Sequence, residues 1–175
     1  MIVGFTGPMR AGKSTAAMHL VVRYGYVKMS IAGPVKRDCA HMLEMVGVAP
    51  RSQIEEEMRS TITKEQYRGL LQWYGVFRRE RDPDHWVRLL RSRLDMVSER
   101  GMDVVIDDVR FLNEAAMIRE LGGRIVCIES TRAGISDHAS EREWPRIAVD
   151  AVLWNDGSVA ALHRNIDEEM AAWTV

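Results

Sequence analysis

"GPMRAGKST", residues 7–15, follows directly on the short apolar run MIVGFT. The stretch matches the pattern GxxxxGK[ST] at Gly7, Gly12, Lys13 and Ser14. The two glycines let consecutive backbone N–H groups turn into one concavity, and the positive end of a following helix adds to it. The sequence therefore predicts a phosphate-binding loop, or P-loop, between a first strand and a first helix.

This predicted loop suits a triphosphate, so the expected ligand is ATP together with Mg²⁺. Lys13 is expected to reach the β- and γ-phosphates as a catalytic residue, and the hydroxyl of Ser14 is expected to bind Mg²⁺. The residues expected around the nucleotide here are Gly7, Arg10, Ala11, Gly12, Lys13, Ser14 and Thr15. The alternative is a glycine-rich turn between a strand and a helix that binds no ligand.

The composition is that of an ordinary globular domain. The 175 residues are 46% hydrophobic and 28% charged, and the formal net charge is −1. The chain is therefore long enough for a substantial core and has no overall basic field, so we expect small-molecule partners rather than nucleic acid or a membrane. Cys39 and Cys127 lie far apart and form no CxxC pattern, which favours a reducing, cytoplasmic location.

Strands and helices alternate along most of the chain. Short apolar runs predict strands at 2–6, 26–30, 103–107, 124–129 and 150–154. Longer segments with helical spacing and end signals predict helices at 13–24, 34–46, 113–121 and 158–173. This alternation predicts a three-layer α/β fold of the P-loop NTPase type, with a parallel sheet of about five strands and helices on both faces.

One part of the chain contains no strand candidate. Residues from about 47 to 100 are predicted to form a helical insertion into a core made of 1–46 and 101–175. Residues 130–145 have little apolar content at their start and are predicted to form a mobile lid that enters a short helix. The whole chain, residues 1–175, is predicted to form a single domain.

The P-loop alone does not distinguish a switch, a motor and a kinase. No Asn-Lys pair occurs in the chain, which disfavours a guanine-specific switch. Motors and helicases generally need a longer chain. A small-molecule kinase remains, and it requires a carboxylate near Mg²⁺, an acceptor-binding region, basic residues for the acceptor phosphate and a lid.

The carboxylate is predicted in VVIDDVRFLNEA, residues 104–115, where Asp107 and Asp108 end a buried strand. Both are candidate ligands of Mg²⁺ alongside Ser14, and one carboxylate of the pair is a candidate for accepting the proton of the acceptor substrate. Asp107 is also a candidate substrate-binding residue. Asp108 and Arg110 are candidate catalytic residues, since Arg110 can neutralise phosphate charge. The alternative is that one of the two carboxylates merely caps the next helix.

The same segment resembles the DVRFxNEA segment of the deoxynucleoside monophosphate kinases of bacteriophages. The resemblance spans nearly the whole chain in the same order, through SIAGPVKRDC (30–39), RGLLQWYG (68–75), DPDHWVRLL (82–90), DHASE (137–141) and WNDGS (154–158). It implies ATP-dependent transfer of a phosphoryl group to a deoxynucleoside monophosphate. One departure is that Val76 and Phe77 stand where the family tends to show a threonine and an acid.

The resemblance places Lys36 and Arg37 beside the acceptor, whereas on physical grounds alone Lys36 would equally be a solvated helix charge. In the insertion, the candidates for the acceptor phosphate are Arg68, Arg78, Arg79 and Arg81, and the departure at Val76 and Phe77 leaves open which of the last three contacts it. A base can stack on the ring of Trp73, Tyr74 or Trp86. The alternative for Trp86 is a core position, because it shares an apolar stripe with Leu89 and Leu90.

The lid candidates are Arg132 as a catalytic residue, with His138, Glu141 and Arg142 beside the substrate. Ser140 and Glu143 alternatively form a capping box for a short helix, and both interpretations are compatible. Asn155, Asp156 and Gly157 form a turn at the edge of the sheet where adenine is expected, or a turn that binds no ligand.

Two other functions share these features. A related kinase, such as a dephospho-coenzyme A kinase, would keep the P-loop and the lid but use another acceptor. A non-enzymatic nucleotide-binding regulator would keep only the P-loop. The sequence leaves open which bases are accepted, and whether the chain forms a homodimer.

Overall fold

The computed structural model describes residues 1–60, 62–134 and 143–173. Its strands are β1 (Ile2–Thr6), β2 (Val27–Met29), β3 (Val104–Ile106), β4 (Arg124–Glu129) and β5 (Ala151–Trp154). They form one sheet in the order β2-β3-β1-β4-β5, and every neighbouring pair is parallel. The predicted parallel sheet of about five strands is confirmed.

Burial follows the position of each strand in the sheet. The central strands β1, β3 and β4 are continuous apolar runs with almost every residue buried, as expected for strands covered on both faces. The edge strand β5 instead alternates, with Val152 and Trp154 exposed.

The helices are α1 (Lys13–Tyr24), α2 (Ala32–Met45), α3 (Arg51–Arg59), α4 (Arg68–Arg81), α5 (His85–Ser98), α6 (Leu112–Glu120) and α7 (Val159–Trp173). Short 3₁₀ helices lie at Lys64–Tyr67 and Trp144–Arg146. For the four helices whose bounds were predicted, α1, α2, α6 and α7, the bounds agree to within about two residues. The start of α2 differs, because Ala32 and Gly33 precede Pro34 in its first turn, where proline is still tolerated.

Helices cover both faces of the sheet, which confirms the three-layer α/β class. On one face, Phe5 of β1 belongs to a buried cluster with Leu20 of α1 and with Leu162 and Ile166 of α7. On the other face α6 lies against β1 so closely that a Cβ on Gly4 would be 2.9 Å from Cδ1 of Ile118. A larger residue at position 4 would therefore require the side chain of Ile118 to shift.

The chain divides into two compact units, one comprising 1–30 and 91–175 and the other comprising 31–90. The first contains the sheet. In the second, the helical unit, α2 packs against α3 and α4, and Ile54, Met58 and Trp86 are buried. The division into a core, an acceptor-binding insertion and a lid stays a prediction.

Among the described residues, no helix combines the length and the apolar character that crossing a membrane would need.

Candidate active site

The candidate site lies at the carboxyl edge of the sheet. Because all strands are parallel, the segments that follow β1, β3, β4 and β5 meet at this edge. The chain places β3 on one side of β1 and β4 on the other, and such a reversal of strand order opens a crevice in α/β sheets. The P-loop segment follows β1, and Asp107 follows β3, so both border that crevice.

The segment 7–12 has the backbone that the sequence pattern requires. Gly7 has φ 122° and Gly12 has φ 106°, and Arg10 between them has φ 66°. Gly12 is the N-cap of α1, so the first helical residues are Lys13, Ser14 and Thr15. The N–H groups in the first turn of a helix have no acceptor within the helix and carry its positive end. The segment therefore has the backbone geometry expected of an anion site.

Lys13 lies over this loop. Its Nζ donates hydrogen bonds to the carbonyl oxygens of Gly7, at 2.8 Å, and of Pro8, at 2.6 Å. The residue is 7% exposed. A positive charge is thus held close to the concavity, and phosphate oxygens are a stronger acceptor for an ammonium group than neutral carbonyls.

Asp107 lies next to the start of α1. The hydroxyl of Ser14 donates to its Oδ2 at 2.8 Å, and Nζ of Lys28 on β2 is 2.7 Å from the same oxygen. Hydroxyl and carboxylate oxygens are the ligands that Mg²⁺ takes from proteins, with phosphates and water completing the shell. This pair of donors therefore fits Mg²⁺. In the described ranges no three His, Cys, Asp or Glu side chains form a metal cluster.

Asp108 has a different partner from Asp107. Its Oδ2 accepts a hydrogen bond of 2.6 Å from Oγ of Ser30, the residue just after β2. The two consecutive carboxylates thus contact different segments, and the one placed beside Ser14 is Asp107. The metal-binding and catalytic roles of Asp108 stay predictions, as does that of the half-buried Arg110.

The turn at Asn155–Gly157 is attached to the P-loop segment. Nδ2 of Asn155 donates to the carbonyl of Ala11 at 2.9 Å. A Cβ on Gly12 would be 2.4 Å from that Nδ2, and the φ of 106° is one that residues with a Cβ rarely adopt. Both features favour glycine at position 12. The structure therefore brings this predicted nucleotide-binding turn next to the loop, and its adenine-binding role stays a prediction.

The segment after β4 braces the same turn. Nη2 of Arg132 donates to the carbonyls of Asn155, at 2.9 Å, and Gly157, at 3.2 Å. Asp156 accepts from the backbone N–H and the hydroxyl of Thr131, and these bonds hold the pKa of its carboxyl below the usual range. Arg132, the predicted lid arginine, lies among the residues after β4 that the structure describes, which run to 134. His138, Glu141 and Arg142 lie outside the described residues.

The predictions did not include Lys28, Ser30 and Glu114 in the site. Lys28 on β2 and Ser30 just after it contact the two aspartates. No local motif marks Lys28, whereas Ser30 begins the SIAGPVKRDC segment. Glu114 is 1% exposed, and its Oε2 accepts from the backbone N–H groups of Arg110, at 2.7 Å, and Phe111, at 3.1 Å. It therefore fixes the turn between Asp108 and α6. In the sequence, Glu114 is marked by its place in the DVRFxNEA segment.

Glu114→Ala should lower the free energy of unfolding by about 2 kcal/mol, because two backbone N–H groups lose a charged acceptor. Glu114→Gln keeps one acceptor oxygen and should lose less. Chemical denaturation followed by circular dichroism measures both. The matched control is Glu120→Ala on the same helix, where a 62% exposed carboxylate pairs with Arg91 and the expected loss is under about 1 kcal/mol. Equal losses at the two positions would contradict the assigned role.

In the helical unit, α4 carries the predicted arginines. Arg68 pairs with Glu65, Arg78 contacts His85, and the guanidinium of Arg81 lies 3.7 Å from the ring centroid of Phe77. Arg79 lies on the same helix and is half-buried. Phe77, which departs from the family pattern, is therefore an aromatic partner of an arginine. On α2, Lys36 and Arg37 are also half-buried.

The aromatic candidates of this unit have different surroundings. Trp73 is 59% exposed and stacks on Phe77 with centroids 5.2 Å apart. The hydroxyl of Tyr74 donates to Asp38. Trp86 is 0% exposed, and its indole N–H donates to the carbonyl of Gly75 at 3.1 Å. We therefore correct the substrate-site prediction for Trp86, which is a core residue because no face of its ring is open to a base.

The comparisons with known proteins agree with this geometry. The model of one protein family, described as deoxynucleotide monophosphate kinase, matches residues 43–166. A protein of Acanthamoeba polyphaga mimivirus, provisionally named a deoxynucleotide monophosphate kinase, is 30% identical over 187 residues, which cover 95% of this chain and 94% of that protein.

Solved structures share the fold, and one of them is a kinase. A dephospho-CoA kinase from Campylobacter jejuni superposes with a TM-score of 0.53 at 12% identity, over 98% of this chain and 96% of that one. The protein TT1252 from Thermus thermophilus superposes with a TM-score of 0.54 at 19% identity, over 98% and 97% of the two chains. At these identities the likeness concerns the fold alone.

Proposed function

The chain belongs to the deoxynucleotide monophosphate kinase family and is a phosphotransferase, and from this premise we propose that it transfers the γ-phosphoryl group of ATP, with Mg²⁺, to a deoxynucleoside monophosphate. The product is the deoxynucleoside diphosphate. This reaction supplies precursors for DNA synthesis.

One observation carries the proposal: the hydroxyl of Ser14 lies 2.8 Å from the carboxylate of Asp107, directly beside the loop that Lys13 covers. A phosphate site and an oxygen-donor site for Mg²⁺ are thus adjacent, although the residues that form them are about 90 positions apart in the chain. Structural turns need no such combination. A nucleoside triphosphate with its Mg²⁺ needs both.

In the proposed reaction, the N–H groups around Gly12 and the ammonium of Lys13 hold the β- and γ-phosphates. Ser14 and Asp107 would hold Mg²⁺, which when bound draws charge from the phosphoryl group being transferred. Arg110 and Arg132 neutralise charge that spreads over the equatorial oxygens. Asp107 or Asp108 accepts the proton of the acceptor phosphate where that phosphate carries one. The protein otherwise acts by positioning.

The helical unit is proposed to bind the acceptor. Its basic residues provide the charge for the acceptor phosphate, and Trp73 offers an exposed ring for the base. The set comprises Lys36, Arg37, Arg68, Arg78, Arg79 and Arg81. We propose that His138 and Glu141 of the DHASE segment also contact the substrate, with Arg142 as a further arginine of the lid. We also propose a cytoplasmic location, which agrees with the two buried free thiols of Cys39 and Cys127.

The test is an acceptor panel. Purified protein with ATP and Mg²⁺ is given each deoxynucleoside monophosphate, the matching ribonucleotides and dephospho-coenzyme A, and ADP and the phosphorylated product are both quantified. We expect ADP in equal amount to a deoxynucleoside diphosphate, and little ADP without an acceptor. Turnover with dephospho-coenzyme A alone would contradict the proposal, and so would tight ATP binding with no turnover on any acceptor.

A further inference from the structure

We infer that Lys28 is a resident counter-cation of Asp107, a positioning residue that keeps divalent cations out of the nucleotide-free site and so makes their binding depend on the nucleotide. The inference rests on the proposed use of Mg²⁺ and a nucleoside triphosphate at Ser14 and Asp107. It assigns a task to a side chain that the proposed reaction leaves without one.

Lys28 contacts Asp107 directly, at the same carboxylate oxygen that Ser14 contacts. Nζ of Lys28 lies 2.7 Å from Oδ2 of Asp107, the same oxygen that accepts the hydroxyl of Ser14. Asp107 is 9% exposed, whereas the side chain of Lys28 is 33% exposed. The ammonium group can therefore withdraw into solvent, while the carboxylate is fixed beside the phosphate loop.

The position of Lys28 follows from the sheet. β2 pairs with β3 in parallel, with Lys28 opposite Val105. Asp107 lies two residues further along the chain, just past the end of β3. A long side chain is thus needed to reach from β2 to the carboxylate at the edge, and lysine provides it. Only four lysines occur among the 24 basic residues of the chain.

Charge explains the proposed effect. A buried carboxylate without a partner is costly, and a cation beside it relieves that cost. Lys28 provides this cation when no nucleotide is bound, and it repels a divalent ion that approaches the same oxygen. A nucleoside triphosphate brings enough negative charge to reverse the balance, so the metal would enter with the nucleotide rather than before it.

The main test measures Mn²⁺ binding to the nucleotide-free protein by electron paramagnetic resonance, with no acceptor present. Lys28→Gln can still donate a hydrogen bond to Asp107 but carries no charge, and we expect it to bind Mn²⁺ about tenfold more tightly than wild type. Lys28→Arg keeps the charge and should bind as weakly as wild type. Adding Asp107→Asn to Lys28→Gln should remove the gain.

Unchanged Mn²⁺ affinity in Lys28→Gln would overturn the inference and leave Lys28 as a structural ion pair between two strands. If Lys28→Gln lost thermal stability without any gain in Mn²⁺ affinity, the inference would likewise be overturned. The measurement needs neither ATP nor phosphoryl transfer. The role of Lys28 can therefore be supported when the acceptor panel contradicts the proposed reaction, and it can be overturned when the panel supports that reaction.

A second measurement uses the wild-type protein, so it does not depend on whether a variant without the charge of Lys28 folds. The side-chain ammonium signals of the four lysines are observed by nuclear magnetic resonance in wild type, and Lys28→Arg assigns the signal of Lys28. We expect that signal to shift with ATP and Mg²⁺ together and to stay in place with MgCl₂ alone. An equal shift with MgCl₂ alone, or no shift with both, would overturn the inference.

Discussion

Lys13→Met is expected to lower kcat for phosphoryl transfer by about a thousandfold, because charge that develops on the transferred group loses its nearest fixed cation. In the structure the ammonium group already lies over the loop, within 2.8 Å of the carbonyl of Gly7 and 2.6 Å of that of Pro8. Methionine keeps the apolar stem of this buried side chain, so the packing at the start of α1 should persist. The change therefore isolates the charge.

Steady-state kinetics gives kcat and KM, and thermal unfolding reports whether the variant remains folded. Lys64→Met is the matched control, since Lys64 is an exposed lysine on a 3₁₀ helix of the helical unit and has no assigned role. It should retain full turnover. If Lys13→Met kept more than about a tenth of the wild-type kcat, the loop would not be part of the mechanism.

Local signals were sufficient to predict the elements of the fold. The apolar run before Gly7 is too short for a helix and suits a buried strand, and the glycine spacing predicts a turn into a helix. The burial of β3 and β4 on both sides follows from the continuous apolar runs that predicted them. These signals depend on neighbouring residues in the chain, so no knowledge of the sheet order was needed.

Contacts between distant segments could not be predicted in this way. Asn155 reaches the carbonyl of Ala11 across 144 positions. Ser14 reaches Asp107 across 93 positions, and these two were expected to meet only because a kinase needs both as ligands of Mg²⁺. Lys28 meets Asp107 because β2 lies beside β3, and the sequence does not state that order. The apolar stripe around Trp86 left two interpretations open, and burial of the indole ring decided between them.

Gly7→Ala is expected to lower the free energy of unfolding by about 3 kcal/mol or more. Gly7 has φ 122°, a conformation that residues with a Cβ rarely adopt, and a Cβ there would be 2.2 Å from the carbonyl oxygen of Ile128. That oxygen belongs to the backbone of β4, which pairs with β1 up to Thr6 and Cys127. The clash can be relieved only by separating the two central strands or by moving the loop.

Gly25→Ala is a control with a positive φ but no clash. Gly25 ends α1 with φ 75°, but nothing lies within 4 Å of its Cβ position, so alanine there meets only the strain of a left-handed conformation, about 1 kcal/mol. Urea denaturation of both variants, with unchanged slopes, gives the two losses directly. Similar losses at both positions would show that the close approach of Gly7 to β4 contributes nothing. A much larger loss at Gly7, accompanied by loss of ATP binding, is the expected result, because the same backbone atoms form the strand contact and the phosphate loop.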